Sequence, residues 1–210
     1  MKGAVPIDKD VVLIGGGHAH VEVIRQFAML RPQGTRLTVI SREIETPYSG
    51  MLPGYLAGHY AFDECHIDLA QLAVAAEARL HKSQVTGLNL PERSVICVDR
   101  PAIRFDYLSI DIGSTPSLGS IEGHEYALPL KPVPEFIKRW IAIEARLMDG
   151  NQDIHVVVIG GGAGGVEVSL CLHHRIASDL QKTGRKHQLV VHVVTDEEIL
   201  LTGHGPAVRH

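Results

Sequence analysis

The chain has 210 residues, enough for one large domain or two small ones, and at that length a conventional core forms without disulfides. Hydrophobic residues make up 45% and charged residues 21%, which excludes a disordered tail, and 24 acids against 20 bases leave no basic stripe for nucleic acid. Cys65, Cys97 and Cys171 are too far apart for a disulfide framework or a Cys-x-x-Cys redox centre, no signal-peptide core opens the chain, and no apolar run reaches the roughly 18 residues that a bilayer needs, so the composition reads as a soluble cytoplasmic protein.

Val11-Val12-Leu13-Ile14 is a continuous apolar run, as expected of a strand buried on both faces of a parallel sheet. It enters Gly15-Gly16-Gly17-His18-Ala19-His20, then a helical stretch from about Val21 to Leu30 that stops before Pro32. Arg36 to Ile40 reads as a second strand. TPYSGMLPGYLAGHY at 46–60, with two prolines and three glycines, reads as a long loop with one helical turn. Asp68 is placed to cap a helix from Leu69 to about Leu80, with Gln71 at the capping-box position. Val85 to Leu90 and Ser94 to Val98 flank Pro91-Glu92-Arg93 as an antiparallel hairpin. Tyr107 to Ile112 is a further strand, closed by Gly113-Ser114-Thr115-Pro116. Ser117 to Pro134 reads as a connection, and Glu135 to Met148 as an amphipathic helix whose Phe136, Trp140, Ile143 and Leu147 stripe is core rather than a quinone groove. Val156 to Ile159 then repeats the apolar strand, Gly160-Gly161-Gly162-Ala163-Gly164-Gly165 repeats the glycine turn, a helix runs to about Leu180, and Leu189 to Val194 is a strand.

The order strand, glycine turn, helix, strand thus occurs twice, a duplicated unit rather than a solenoid repeat. A strand entering a helix through a tight turn aims the helix's first free N–H groups at one point, where the helix dipole also favours an anion. In Gly-x-Gly-x-x-Gly the first glycine permits the turn, the second lets a pyrophosphate approach the backbone, and the third lets helix and strand pack closely. Gly160, Gly162 and Gly165 meet all three requirements. Gly15 and Gly17 meet two, because the third position is His20. The acid that usually contacts a ribose at the end of the second strand is replaced by Ser41, with Arg42 and Glu43 behind it, and in the second unit by Thr195, with Asp196 next. Both hydroxyls suit ribose hydrogen bonds, and Asp196 disfavours a 2′-phosphate. His18 and His20 flank the first turn, where an imidazole would help neutralise a pyrophosphate, and for His20 a second reading, packing, stays open. His59, Cys65 and His66 share a stretch and His173 and His174 are adjacent, yet no metal-ligand spacing is present and no metal site is expected. Cys65 reads as structural, since only His66 is near to activate it.

The motifs DVVLIGGGHAHVEV at 10–23, TPYSGMLPGYLAGHY at 46–60, DYLSIDIGSTP at 106–116 and VVVIGGGAGGVEVSL at 156–170 resemble, in that order, those of the pyridine nucleotide-disulfide oxidoreductase superfamily. Within it they are similar to the type II NADH dehydrogenase and sulfide:quinone reductase branch. The nearest likeness is to the flavoprotein domain fused ahead of selenophosphate synthetase (selenide, water dikinase) in some bacteria. The resemblance implies an α/β chain with two Rossmann-like units, an FAD-binding domain over 1–118 and an NAD(P)H-binding domain over 119–210, both incomplete at the C-terminus. It implies that Gly15, Gly17, His18 and Ala19 contact FAD, that backbone at Val85 meets its adenine, and that Pro47 and its loop approach the isoalloxazine. Gly113 and Ser114 stand where relatives have a Thr-Gly strand end, and Glu167 matches an acid near the nicotinamide. Ser41, Arg42, Thr195 and Asp196 complete the expected cofactor-binding set.

The implied activity is hydride transfer from NAD(P)H through FAD to a small-molecule electron acceptor, a quinone or a selenium or sulfur species. The reductases' Cys pair is absent, which disfavours thiol–disulfide exchange. In relatives the chain continues past the position of Val194 and returns to finish the FAD domain. The resemblance therefore implies a C-terminally truncated chain, with poor solubility or weak flavin retention from an unfinished sheet, and with membrane contact and the fused synthetase belonging to a full-length parent. The alternative is a non-catalytic nucleotide-binding or regulatory module, or a remnant, associated with selenophosphate synthesis.

Overall fold

The structure, a computed structural model, describes residues 6–118, 121–149 and 152–209. These fall into two compact units, one built from the chain up to Tyr48 together with His66–Pro134, the other from Ser49–Cys65 together with the chain from Glu135 onward. The boundary expected after residue 118 runs into residues 119 and 120, which lie outside the described residues.

Strand β1 (Lys9–Ile14) passes through the first glycine turn into helix α1 (His18–Leu30), and the chain returns as β2 (Thr35–Ser41), parallel to β1. Helix α1 starts at His18, ahead of the expected Val21, because extended Gly17 (φ −66°, ψ 170°) is its N-cap. The helical turn expected in the 46–60 stretch is the short helix α2 (Leu52–Leu56), and Glu45–Pro47 adds a strand, β3, at its start. Strand β4 (His66–Asp68) pairs antiparallel with β3. Asp68 then caps α3 (Leu69–Ala75), its carboxylate accepting from the N–H groups of Ala70 and Gln71 at 2.7 and 3.1 Å. The helix expected to reach Leu80 stops at Ala75. Glu77 takes a left-handed conformation (φ 52°), and Arg79–Lys82 becomes β5, parallel to β2 with Arg79 opposite Thr38.

The expected hairpin is β6 (Val85–Asn89) with β7 (Ser94–Cys97), extended to three antiparallel strands by the two-residue β8 (Ile103–Arg104). Strand β9 (Tyr107–Ile110) joins β1, completing a parallel sheet in the order β5-β2-β1-β9. Alternation along β1 explains its unbroken apolar run: Val12 and Ile14 pack with Ile40 and the β7 residues Val95 and Cys97, while Leu13 packs on the other face with Ile24 of α1 and Leu69 of α3.

In the second unit, α4 (Val133–Asp149) buries Phe136, Ile137 and Trp140. Strand β10 (Ile154–Ile159) pairs in parallel with β11 (Leu189–Val194), and α5 (Ala163–Lys182) runs between them in sequence and packs on both strands and on α2. Its buried stripe, Val168, Leu172, Ile176 and Leu180, recurs every fourth residue, as a one-sided helix requires. A short α6 (Pro206–Arg209) follows. Each unit is α/β around a parallel sheet, as the alternation of apolar strands and helices predicts.

Candidate functional site

Both glycine turns take one conformation. Gly15 (φ 94°) donates its N–H to the Ile40 carbonyl at 2.8 Å, and Gly160 (φ 117°) donates to the Val194 carbonyl at 2.8 Å, so each turn is stitched to the end of the neighbouring strand. Gly17 and Gly162 (φ −75°, ψ 177°) are the matching extended N-caps, without a side-chain cap of their own. Ser41 and Thr195 lie against the middle glycine of their turns: a Cβ on Gly16 would stand 3.5 Å from the Ser41 Oγ, and one on Gly161 would stand 2.8 Å from the Thr195 Oγ1.

The turns differ in what fills them. In the second, a Cβ on Gly162 or Gly164 would meet nothing within 4 Å, so the approach to the first amides of α5 is open. A Cβ on Gly165 would fall 1.9 Å from the Gly160 carbonyl oxygen, so helix and strand touch at backbone distance there. In the first turn the third-glycine position is His20, which is buried and turned inward, with Nδ1 against the Gly15 carbonyl at 2.8 Å and Nε2 against the Ser109 hydroxyl at 2.9 Å. Both ring nitrogens are thereby used in packing, which answers one of the two open readings. The residue that faces the first N–H groups of α1 is Asp111. Its carboxylate accepts from the Ala19 N–H at 3.0 Å, its carbonyl accepts from the Gly17 N–H at 3.1 Å, and a Cβ on Gly17 would fall 2.2 Å from its carboxyl group. The donors at the start of α1 thus fit an anion, and the chain supplies one of its own. Asp111 was missed in the sequence although it sits inside DYLSIDIGSTP, as a carboxylate interrupting an apolar strand end.

The remaining expected residues are placed less tightly. His18 stacks at a tilt on Tyr48, ring centroids 4.6 Å apart, a neighbour that the sequence did not single out. Pro47 pairs with His66 in β3–β4, and its neighbour Thr46 would stand 3.5 Å from a Cβ on Gly16. Val85 opens β6 just after Ser83, whose N–H donates to the Ser41 carbonyl at 2.9 Å, so the adenine-side candidate starts beside the end of β2. Gly113 (φ 75°) has open space around it, and Ser114 accepts from Lys131 Nζ at 3.0 Å. Arg42 and Asp196 are exposed beyond their strand ends, and Glu167 is exposed on α5. Burial, with Glu167 nearby, pushes the Cys171 thiol up, and burial with Glu64 and Asp63 does the same to Cys65, so neither is poised as a thiolate. Among the described residues, no group of three or more His, Cys, Asp or Glu is placed to hold a metal ion, and no helix is long and apolar enough to cross a membrane.

Residues 9–210 match the family described as pyridine nucleotide-disulphide oxidoreductase, whose members bind FAD and NAD(P)H. No curated protein matches the chain. Among solved structures, NDH2 from Plasmodium falciparum in complex with NADH superposes with a TM-score of 0.77 at 17% identity, covering 96% of this chain and 44% of that one. The covalent putidaredoxin reductase–putidaredoxin complex gives 0.72 at 21% identity, covering 96% and 46%. The sulfide:quinone oxidoreductase from the hyperthermophilic bacterium Aquifex aeolicus gives 0.71 at 20%, covering 91% and 44%. At such identities the likeness is one of fold, and the chain spans less than half the length of these structures.

Proposed function

We propose, for a chain that belongs to the pyridine nucleotide-disulphide oxidoreductase family, that the first glycine turn seats FAD and the second seats NAD(P)H, in an oxidoreductase that takes hydride from NAD(P)H and passes electrons to a small acceptor. The observation that carries this reading is the repeated turn: positive φ at Gly15 and Gly160, the same 2.8 Å bond to each strand end, and an extended N-cap glycine at Gly17 and Gly162.

When bound, the flavin supplies the two-electron chemistry. The chain's own residues bind and orient. The first amides of α1, at His18 and Ala19, and of α5 aim at the pyrophosphates, where the helix dipoles favour negative charge. Ser41 and Thr195 offer hydroxyls to the riboses, Arg42 offers a cation beside the first, and Asp196 repels a 2′-phosphate at the second. Val85 backbone would flank the adenine and Pro47 with its loop would approach the isoalloxazine, while Gly113 and Ser114 stand where relatives carry a Thr-Gly strand end. Gly165 holds α5 against the turn, and Glu167 would stand near the nicotinamide as the catalytic carboxylate.

The same proposal takes the acceptor as a quinone or a selenium or sulfur species, places the chain in the cytoplasm, and relates it to the flavoprotein domain that accompanies selenophosphate synthetase. The motifs at 10–23, 46–60, 106–116 and 156–170 support that finer reading. The domain assignment, FAD over 1–118 and NAD(P)H over 119–210, is part of it.

The seated Asp111 carboxylate favours a second reading, a non-catalytic module in which only the open second turn takes a nucleotide. The test is to incubate the protein with FAD, remove the excess, record the visible spectrum and add NADH without oxygen. The enzyme retains a flavin band that NADH bleaches. A retained band that NADH leaves unchanged supports a flavin-binding module without the oxidoreductase activity, and no retained flavin supports the module whose second turn alone takes a nucleotide.

A further inference from the structure

Four arginines far apart in the sequence meet at one end of the first unit. Arg36, Arg79, Arg100 and Arg104 line a cavity of about 360 Å³, together with His81 and Asp10. Asp10, Arg36 and Arg79 stand at the opening residues of β1, β2 and β5, whereas the glycine turn leaves the opposite end of β1. The cavity is therefore at the far end of the sheet from the dinucleotide turn.

Two of the four charges have a carboxylate partner, one closely and one loosely. Arg36 donates from Nε and Nη2 to the two carboxylate oxygens of Asp10 at 2.5 and 2.7 Å. Arg100 is answered more loosely, by an ion pair with Asp99. Its Nε is buried without a hydrogen-bond partner, and the nearest acid, Asp99, stands 3.6 Å away with its carboxylate engaged by the Ser83 hydroxyl. The Asp99 pair leaves that buried Nε–H without a hydrogen bond, and an arriving anion would supply one. Arg79 and Arg104 are exposed residues of the same lining and add two further guanidinium groups. The surplus positive field is felt inside: burial, Arg100 and Arg79 together hold His81 below the usual histidine range.

We propose that this cavity is an anion site separate from both glycine turns, binding a compact phosphorylated small molecule with two or more negative charges. Its volume is at the lower end for small-molecule pockets and too large for a lone inorganic anion to fill. The charges converge on one concavity instead of forming the extended stripe that nucleic acid needs.

The test titrates inorganic pyrophosphate into the ¹⁵N-labelled full chain and follows the arginine Nε–Hε resonances and the backbone amides, with Arg100→Lys identifying the Arg100 signal. The Arg100 resonance is expected to shift and saturate at one pyrophosphate per chain. Changing exposed residues in Arg79→Gln/Arg104→Gln, with an unchanged amide fingerprint elsewhere, should weaken that saturation about tenfold or more. Saturating NADH should leave it in place. The proposal is overturned if the Arg100 signal stays still while amides at 17–19 or 162–164 move. It is equally overturned if the shift does not saturate, or is indifferent to the double variant. Flavin retention and bleaching are read separately, so either proposal can fail without the other.

Discussion

Replacing Asp111 by alanine separates a structural cap from a competitor for the phosphate seat. In the free protein its carboxylate satisfies the Ala19 N–H at 3.0 Å and fills the space that a Gly17 side chain would occupy. Losing an acceptor at a helix N-terminus costs about 0.5–2 kcal/mol, and this bond is exposed, so about 1 kcal/mol is expected here. For a chain of this size that corresponds to a fall in Tm of about 2–4 °C. On the proposed seating of FAD, the same interaction has to be broken before a pyrophosphate reaches the helix, so removing it should tighten FAD or ADP binding at this turn by about fivefold. Asp111→Asn, which keeps a neutral acceptor, should fall between. Calorimetric titration of ADP into the three proteins, alongside thermal melts, reads both effects. A lower Tm with unchanged or weaker nucleotide affinity in Asp111→Ala would refute the reasoning, because the carboxylate would then be outside the pyrophosphate's place.

Gly165→Ala should lower stability by about 1–3 kcal/mol, since its Cβ would fall 1.9 Å from the Gly160 carbonyl oxygen and backbone must yield. Gly164→Ala, with nothing within 4 Å, should be neutral or slightly stabilising on the same melting curve. Burial, Arg100 and Arg79 hold the folded His81 pKa below the unfolded value of about 6.5. The neutral form is thus favoured by folding, and stability should be full above that value and decline as pH falls from it toward the folded pKa. Denaturant midpoints between pH 7.5 and 5 should show a shallower decline in His81→Gln. Ile24→Ala, emptying a fully buried site between α1 and the sheet, should cost about 2–5 kcal/mol in the first unit's denaturant unfolding.

How much of this was legible in the sequence varies with the kind of interaction. The β1 run and the two glycine turns were readable because a buried parallel strand is apolar at every position and the turn's φ angles demand glycine. The α3 overrun shows the limit of local propensity: Ala-rich AVAAEARL favours helix, but pairing with β2 captures Arg79–Lys82 as a strand. Strand β8, two residues long, has no periodicity to detect. His20 was ambiguous because its partners, Gly15 and Ser109, are five and 89 positions away. Asp111 and the arginine cavity escaped for the same reason: each is assembled by sheet order, which no window of sequence contains. Thirteen histidines and twenty basic residues gave no hint of which would converge.

The most direct test of two dinucleotide seats in one chain is a count of bound nucleotide. Equilibrium dialysis with FAD, then with NADH added to the FAD-saturated protein, should give one FAD per chain and one further NADH without release of FAD. Displacement of FAD by NADH, mole for mole, or a total of one nucleotide at saturation, would contradict the account.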